Sequence, residues 1–344
     1  MSDPVTNIDK IQLSRYLEAQ IDGFRGPIQV KQFAAGRSNP TFLLKAQSGR
    51  YVIRRQPPGP LLKSAHAVDR EYRVIKSLGD TEIPVPRAYH LCQDIEVIGS
   101  LFYVMSFEEG RIFSNQALLE LDRHQRGPLY EEMIRLLGTL HNLNPGDIGL
   151  GDYGRPGNYF ERQIGRMTKQ YKAAETEIIP AMEELMAWLS ANTPADDGQA
   201  TLVHGDYHFS NIIFHPTVPR IMAVIDWELS TLGHPLADLA YFCMGLRLPD
   251  TFPIRGLARK NRKILGLPEE RQIVEQYDRI RSIGSMDHWA FYLAFSFFRL
   301  AAIVQGVKER GFIGTASHRQ EALQLGDIPA DLAHMAVELI EKEL

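Results

Sequence analysis

The sequence predicts an α+β chain: a small antiparallel sheet with one main helix towards the N-terminus, followed by a larger, mainly helical part. Three observations predict it. Alternating runs at 28–34, 41–46 and 51–55 are punctuated by Gly36-Arg37-Ser38-Asn39 and by Ser48-Gly49, which reads as a three-strand antiparallel meander. Beyond residue 114, apolar residues recur at helical spacing in one segment after another. Between those segments lie short apolar runs that stop at polar residues. Residues 201–203 run into His204-Gly205-Asp206, 212–214 follow Asn211, and 221–225 end at Asp226.

The first helix is expected over 9–21, with Ile8, Ile11, Leu17 and Ile21 on a loose apolar face. The turn containing Ser38 and Asn39 has two readings: an ordinary hairpin, or a turn whose backbone N–H groups face a phosphate. In 51–55, alternation puts Val52 and Arg54 on one face. Gln56-Pro57-Pro58-Gly59-Pro60 is a stiff extended loop. Ser64 then caps a helix that carries Ala65, Val68, Tyr72, Ile75 and Leu78 inward. Strands follow at 87–91 and 100–107, with a turn around Asp94.

The helical part starts with a helix over 129–143, Tyr130, Met133, Leu136, Leu137 and Leu140 facing inward. A Gly/Asp/Pro loop leads to amphipathic helices at 158–174 and 177–190. Tyr159, Arg162, Arg166 and Lys169 share one face of the first of these. That face could receive an anionic acceptor, or it could be a solvated helix side. A helix from Asp238 through Leu246, a loop over 249–262 and helices at 269–280, 286–308 and 318–343 complete the chain.

Composition narrows the functional classes. The 344 residues, 44% hydrophobic, allow one large domain or two lobes with ample core. A net charge of −4 and a pI near 6.3 give no bulk basic surface for nucleic acid. Cys92 and Cys243 form neither a ligand pattern nor a disulfide framework, and residues 1–10 are polar, so a reducing cytoplasm is expected. Residues 286–307 are rich in aromatic and aliphatic side chains, but Asp287, His288, Arg299 and Gln305 interrupt them. A buried helix is expected there rather than a membrane span. Oligomeric state is left open.

The chemistry concentrates at 204–228. Asp206, Asn211 and Asp226 are expected to converge from neighbouring strand ends. A carboxylate and an amide suit Mg²⁺, which takes oxygen ligands and few carboxylates, leaving room for substrate phosphates. Asn211 and Asp226 fit that role, and Asp206 is then free to accept the proton of an attacking hydroxyl. The alternative is buried carboxylates that only tie turns together.

His204-Gly205-Asp206 with Asn211 five residues on, then Ile225-Asp226-Trp227-Glu228, then Gly233-His234-Pro235-Leu236-Ala237-Asp238, resembles the aminoglycoside phosphotransferase and choline kinase group of protein-kinase-like enzymes. The stretches Gly36–Phe42, Tyr51–Gly59 and Ala65–Tyr72 resemble the kinase-like domains found fused to acyl-CoA dehydrogenases, across most of the chain. The resemblance implies a two-lobe fold, with a nucleotide-binding lobe at 1–109 ending in a hinge and a helical lobe with catalytic loop and acceptor site at 110–344. It also implies ATP and Mg²⁺ as cofactors.

Position by position, the resemblance implies Asp206 as base and Asn211 and Asp226 as metal ligands. It puts Arg54 where the kinases carry Lys, paired with Glu71 of the helix. Arg54 departs from the pattern, bringing a forked guanidinium where a compact ammonium is usual. A solvated strand-end Arg54 and a solvent-facing Glu71 are the alternatives. Ser38 and Asn39 would close over the phosphates. Val52 and Met105 would line the adenine pocket, with main-chain groups of Ser106 and Glu108 binding the base. His204 and Asp238 would support the loop. His208, Glu228 and Tyr159 would face the substrate, His208 alternatively only packing and Glu228 alternatively assisting a second metal.

The function implied is transfer of the γ-phosphate of ATP to a small-molecule hydroxyl, with a hydroxyacyl group or hydroxyacyl-CoA as acceptor and a link to acyl-CoA metabolism. An aminoglycoside or amino-alcohol kinase is the alternative, although no carboxylate cluster for a cationic acceptor can be assembled from 158–190. A catalytically silent nucleotide-binding protein is a further alternative. A protein kinase is disfavoured by the lack of an activation segment ending in Ala-Pro-Glu.

Overall fold

The computed structural model describes residues 8–33, 39–57, 67–252, 255–284, 286–314 and 319–343. In chain order the elements are α1 (Lys10–Gln20), β1 (Gln29–Gln32), β2 (Thr41–Ala46), β3 (Gly49–Arg55), α2 (Val68–Leu78), β4 (Ala88–Cys92) and β5 (Phe102–Ser106). Then come α3 (Arg123–Asn142), α4 (Tyr159–Ala173), α5 (Pro180–Ala191), β6 (Thr201–Val203), β7 (Ile212–Phe214), β8 (Ile221–Val224) and β9 (Thr231–Gly233). The chain closes with α6 (Leu236–Arg247), α7 (Arg262–Leu265), α8 (Glu270–Ile280), α9 (Trp289–Ile313), α10 (Arg319–Leu323) and α11 (Ile328–Glu343). An antiparallel sheet with one main helix, followed by a mainly helical part, is the α+β architecture expected.

Contacts divide the described chain into two compact units, Met1–Ile112 with Asn211–Ser230, and Phe113–Ser210 with Thr231–Leu344. The first is built on a five-stranded sheet in the order β1-β2-β3-β5-β4. Its pairings are antiparallel, with Thr41 opposite Arg54 and Val52 opposite Met105. Asp9 caps α1, its carboxylate accepting from the N–H groups of Ile11 and Gln12. Leu13 and Leu17 of α1 pack with Phe42, Leu44, Tyr51, Ile53, Phe102 and Val104. Tyr51 and Ile53 belong to this core, so alternation turns Val52 and Arg54 to the opposite face of β3. Segment 211–230 joins this unit, rather than the helical part expected to hold it, through main-chain bonds. Arg111 pairs with Phe214, and the Val224 N–H donates to the Pro84 carbonyl at 2.8 Å. Gly110 permits the first contact, since a Cβ there would lie 2.3 Å from the Phe214 carbonyl oxygen.

Among the described residues, the second unit is helical apart from the short β6–β9 pair. Its core helix is α9, which packs against α11, α6, α10, α4 and α5. Helix α9 is long and apolar enough to cross a membrane by composition, yet 78% of its most apolar window is buried by the fold. α6 is buried along nearly its whole length.

Several expected boundaries move. Helix α3 starts at Arg123 rather than 129, because an Asp122–Gln125 capping box nucleates it ahead of Pro128. β9 was not expected, and the helix expected over 318–343 is two, broken at Gly326 (φ 49°). The helix expected to begin at a Ser64 cap is described from Val68, with no side-chain cap at Ala67. Ser64, Ala65 and the phosphate-turn candidate Ser38 lie outside the described residues.

Candidate functional site

Two sets of sequence-predicted residues are brought together, one in each unit. In the first unit, Arg54 leaves β3 with its side chain 7% exposed and meets the buried Glu71 of α2, Nε to Oε2 at 2.9 Å. Its Nη2 reaches Asp226 Oδ1 at 2.6 Å and Glu228 Oε2 at 3.2 Å. Asn39 Nδ2 donates to the same Glu228 oxygen at 3.1 Å, and the Trp227 N–H donates to Glu71 Oε1 at 3.2 Å. The solvated alternatives for Arg54 and Glu71 are therefore not what this fold adopts. One guanidinium serves three carboxylates. Burial first, then the charges of Asp226 and Glu228, push the Glu71 carboxyl up to about 7 against the pull of Arg54.

The β7–β8 hairpin aligns the expected metal ligands. Ile212 pairs with Val224, and the Ile225 N–H donates to the Asn211 carbonyl at 3.0 Å. Asn211 and Asp226 thus flank one end of the hairpin. Asp226 sits in the left-handed region (φ 67°, ψ 59°), a costly backbone for a non-glycine residue and one that Asp and Asn tolerate best. Its side chain stays 28% exposed, and that of Glu228 23%. Among the described residues, no cluster of three or more His, Cys, Asp or Glu side chains has metal-holding geometry. Mg²⁺ does not require one, because it keeps water and phosphate oxygens in its shell. Hard oxygen donors from Asn211 and Asp226, in a network with carboxylates in excess of cations, fit it.

Val52 and Met105, expected to flank the adenine, are cross-strand partners, both mostly buried. The Ser106 N–H does not serve as the expected base contact, since it donates to the Arg87 carbonyl at 2.9 Å. That corrects the Ser106 expectation for its N–H and leaves Glu108 as the main-chain candidate. The Ser106 hydroxyl bonds the Glu108 carboxylate, and Arg50 pairs with Glu109 while lying over the Phe107 ring.

In the second unit the loop after β6 is held from below. Asp238, fully buried near the start of α6, accepts from the N–H groups of His204 at 2.6 Å and Gly205 at 2.8 Å. Gly205 takes φ 82°, which glycine adopts without strain. His141 Nε2 lies 3.3 Å from Asp238, and its Nδ1 lies 2.6 Å from the Tyr277 hydroxyl. A carboxylate only accepts, so Nε2 carries the proton and Nδ1 accepts from Tyr277. Burial pushes the Asp238 carboxyl up, but the His141 and His204 imidazoles and the Gly205 N–H outweigh it and hold it below its ordinary range.

Asp206 follows, its side chain 26% exposed. Its N–H donates to His204 Nδ1 at 3.1 Å. Oδ1 accepts from the Tyr241 hydroxyl at 2.9 Å, and Oδ2 lies 3.3 Å from His208 Nε2. His208 Nδ1 accepts the Ser210 N–H at 3.2 Å, so its Nε2 is the donor towards Asp206. Burial raises the Asp206 carboxyl, but the His208 and His204 imidazoles and the Tyr241 hydroxyl prevail and hold it well below the ordinary carboxylate range. Asp206 is therefore ionised and oriented through both oxygens.

Sequence reading missed Tyr241. The signal was its place one turn after Asp238 on α6, hidden because an aromatic residue in an apolar helix reads as core. Tyr159 joins neither set. It packs edge-on to Phe160 and Phe295, against the face of Gly233, where a Cβ would come within 2.6 Å of its ring.

Comparisons with known proteins agree with this architecture. The family model described as "Phosphotransferase enzyme family" matches residues 29–273. Acyl-CoA dehydrogenase family member 10 of Mus musculus is 41% identical over 333 residues, covering 96% of this chain and 31% of that protein. Acyl-CoA dehydrogenase family member 11 of Homo sapiens is 39% identical over 346 residues, covering 98% of this chain and 44% of that protein. The chain thus spans less than half the length of these curated relatives. A crystal structure from Ralstonia eutropha JMP134, provisionally named an aminoglycoside phosphotransferase, superposes with a TM-score of 0.87 at 44% identity, covering 98% of this chain and 99% of that one. Spectinomycin phosphotransferase in complex with ADP and spectinomycin shares the fold, with a TM-score of 0.64 at 15% identity over 98% of this chain and all (100%) of that one. With the two-lobe kinase-like α+β architecture, a family match over most of the sequence and relatives aligned along nearly all of it, the chain belongs to the phosphotransferase enzyme family, the aminoglycoside phosphotransferase group.

Proposed function

We propose that the chain is an ATP-dependent kinase that transfers the γ-phosphate to a hydroxyl of a small molecule, with a hydroxylated acyl group as acceptor. The observation that carries this reading is the state of Asp206. It is ionised, and both its oxygens are oriented by donors on a loop clamped by Asp238. A carboxylate of low basicity takes the acceptor proton late, once the new bond to phosphorus has begun to form. That suits a loose phosphoryl-transfer transition state, in which alignment and charge stabilisation matter more than deprotonation. Tyr241 and His208 fix the carboxylate direction and hence the line along which the hydroxyl is held.

In the first unit, Arg54 steadies the nucleotide phosphates, with Glu71 setting the angle of its guanidinium. Asn211 and Asp226 would hold Mg²⁺, which supplies charge neutralisation on the phosphoryl oxygens when bound. Val52 and Met105 offer an apolar surface to the adenine, and the main chain at Glu108 its hydrogen bonds. The acyl preference rests on the relatives named as acyl-CoA dehydrogenases, of which this chain covers a part.

An ATP-consumption screen over hydroxy acids, hydroxyacyl-CoAs, amino alcohols, sugars and aminoglycosides tests the reading. Turnover with a hydroxyacyl compound is expected, and turnover confined to aminoglycosides or amino alcohols would replace that acceptor. A second reading, a silent nucleotide-binding protein, is favoured by the 2.6 Å contact that engages Asp226 with Arg54. It predicts ATP affinity indifferent to Mg²⁺ and no ATP consumption with any acceptor.

A further inference from the structure

One buried charged side chain of the helical unit has no counter-charge among the described residues. Arg299, in the middle of α9, is only 6% exposed. Among the described residues it makes no ion pair and no hydrogen bond. Its guanidinium carbon stands 5.3 Å over the ring of Tyr241, the residue whose hydroxyl donates to Asp206. A second cation faces the same region. Arg166 of α4 bonds only the neutral amide of Gln163, at 2.6 Å, and no described carboxylate pairs with it. Arg166 is solvent-exposed, and partial burial and then the Arg299 charge lower its affinity for a proton. Arg166, Arg162 and Lys169 line a cavity of about 620 Å³, where Glu161 and Asp196 are the acidic residues among the described lining.

Holding a guanidinium mostly buried without a counter-charge is costly, and a bound anion would offset that cost. An aromatic face contributes a modest attraction that does not replace a counter-ion. We propose that Arg299, with Arg166, binds an anionic group of the phosphoryl acceptor, a carboxylate or phosphate, and so selects hydroxylated anions over the neutral or cationic alcohols of other family members. This rests on the kinase reading above and deepens it. The placement of Arg299 on the Tyr241 ring ties recognition of the anion to the residue that orients Asp206.

The test compares one acceptor skeleton in three forms: 3-hydroxybutyrate, its CoA thioester and butane-1,3-diol. KM, kcat and direct calorimetric binding are measured for the intact chain and for Arg299→Met and Arg166→Gln. For the anionic acceptor, Arg299→Met should raise KM and the calorimetric Kd by roughly 10–100-fold, the size of one lost charge-assisted contact, with ATP affinity unchanged. The diol should be indifferent to both substitutions. A loss seen with the free acid identifies a carboxylate as the bound anion, and a loss confined to the thioester identifies the CoA phosphates. Arg299→Met should also keep or raise the melting temperature of the unliganded chain, which a merely structural arginine would not do. Equal losses for diol and anion, no loss for either, or no calorimetric binding of any anionic form would overturn the proposal. Failure of the kinase reading is separable, because it would appear as absent Mg²⁺-dependent ATP binding whatever the acceptor.

Discussion

Glu71 shows how much a single buried carboxyl can report. It sits on α2 with Arg54 at 2.9 Å, but Asp226 and Glu228 share that guanidinium. Its folded pKa is about 7, above the 4.5 of an unconstrained glutamate. The folded state therefore holds this proton more tightly than the unfolded chain. Linkage then makes Glu71 a contributor to stability below about pH 4.5 that is lost as pH rises towards about 7. Glu71→Gln removes this dependence. Thermal denaturation should show the variant gaining on the parent between about pH 5 and about pH 8, and a constant difference would contradict the assignment.

Asp226 is the second case. Asn tolerates the left-handed backbone that Asp226 adopts, so Asp226→Asn changes charge with little change in strain. Mg²⁺-dependent ATP affinity should fall roughly tenfold or more, read by calorimetry with and without the metal, while metal-free ATP binding holds. The Arg54–Glu71 pair was legible in the sequence from strand alternation and the matched helix position. Tyr241 was not, because nothing in an apolar helix marks which ring carries a working hydroxyl. Nor was the engagement of the Ser106 N–H with Arg87, since a backbone partner leaves no side-chain signature.

At the scale of elements, periodicity found the long helices and the meander but lost the short pieces. β6, β7 and β9 have three residues each, too few for a period to register, and β6 and β7 were read only because each borders a polar cluster. The helix expected from residue 129 starts upstream of Pro128, because the Asp122 capping box opens α3 at Arg123 and the proline is absorbed near the first turns. The break between α10 and α11 is written in Gly326 and in Pro329 within the first turn of α11, signals that an apolar pattern running through them concealed. Helix contact is also sequence-encoded, but only after the fact. Gly138 lets α3 approach α8 so closely that a Cβ would lie 2.7 Å from Ile280 Cγ2 and 3.0 Å from its Cβ. Alanine is the better helix former by about 1 kcal/mol, but forcing the helices apart costs more. Gly138→Ala should therefore destabilise by about 1–3 kcal/mol in urea denaturation, and a stabilised variant would show that the two helices separate freely.

For the molecule as a whole, the candidate site residues are divided between two units. The groups proposed to act on the phosphates (Arg54, Glu71, Asn211, Asp226) belong to the unit built on the sheet, and Asp206 with the residues that bond it and its loop (His204, His208, Tyr241, Asp238) to the helical one. The sequence order of these residues, with 211–230 returning to the sheet unit, is what lets one continuous stretch serve both. That return was not foreseen, because it depends on the bonds of Arg111 to Phe214 and of Val224 to Pro84, which no local pattern announces. The basic groups of the helical unit, Arg166 and Arg299, are what would set this chain's acceptor apart from those of other family members.

If labour is divided in this way, Asp206 serves turnover and not nucleotide binding. The direct measurement is ATP turnover, with the acceptor found by the screen at saturation, beside calorimetric Mg²⁺-ATP affinity, for the parent chain and Asp206→Ala. Turnover should fall by about 10²–10⁴-fold while affinity for Mg²⁺-ATP stays within about twofold. Parental turnover in Asp206→Ala at saturating acceptor, or a collapse of nucleotide affinity equal to the loss of turnover, would contradict it.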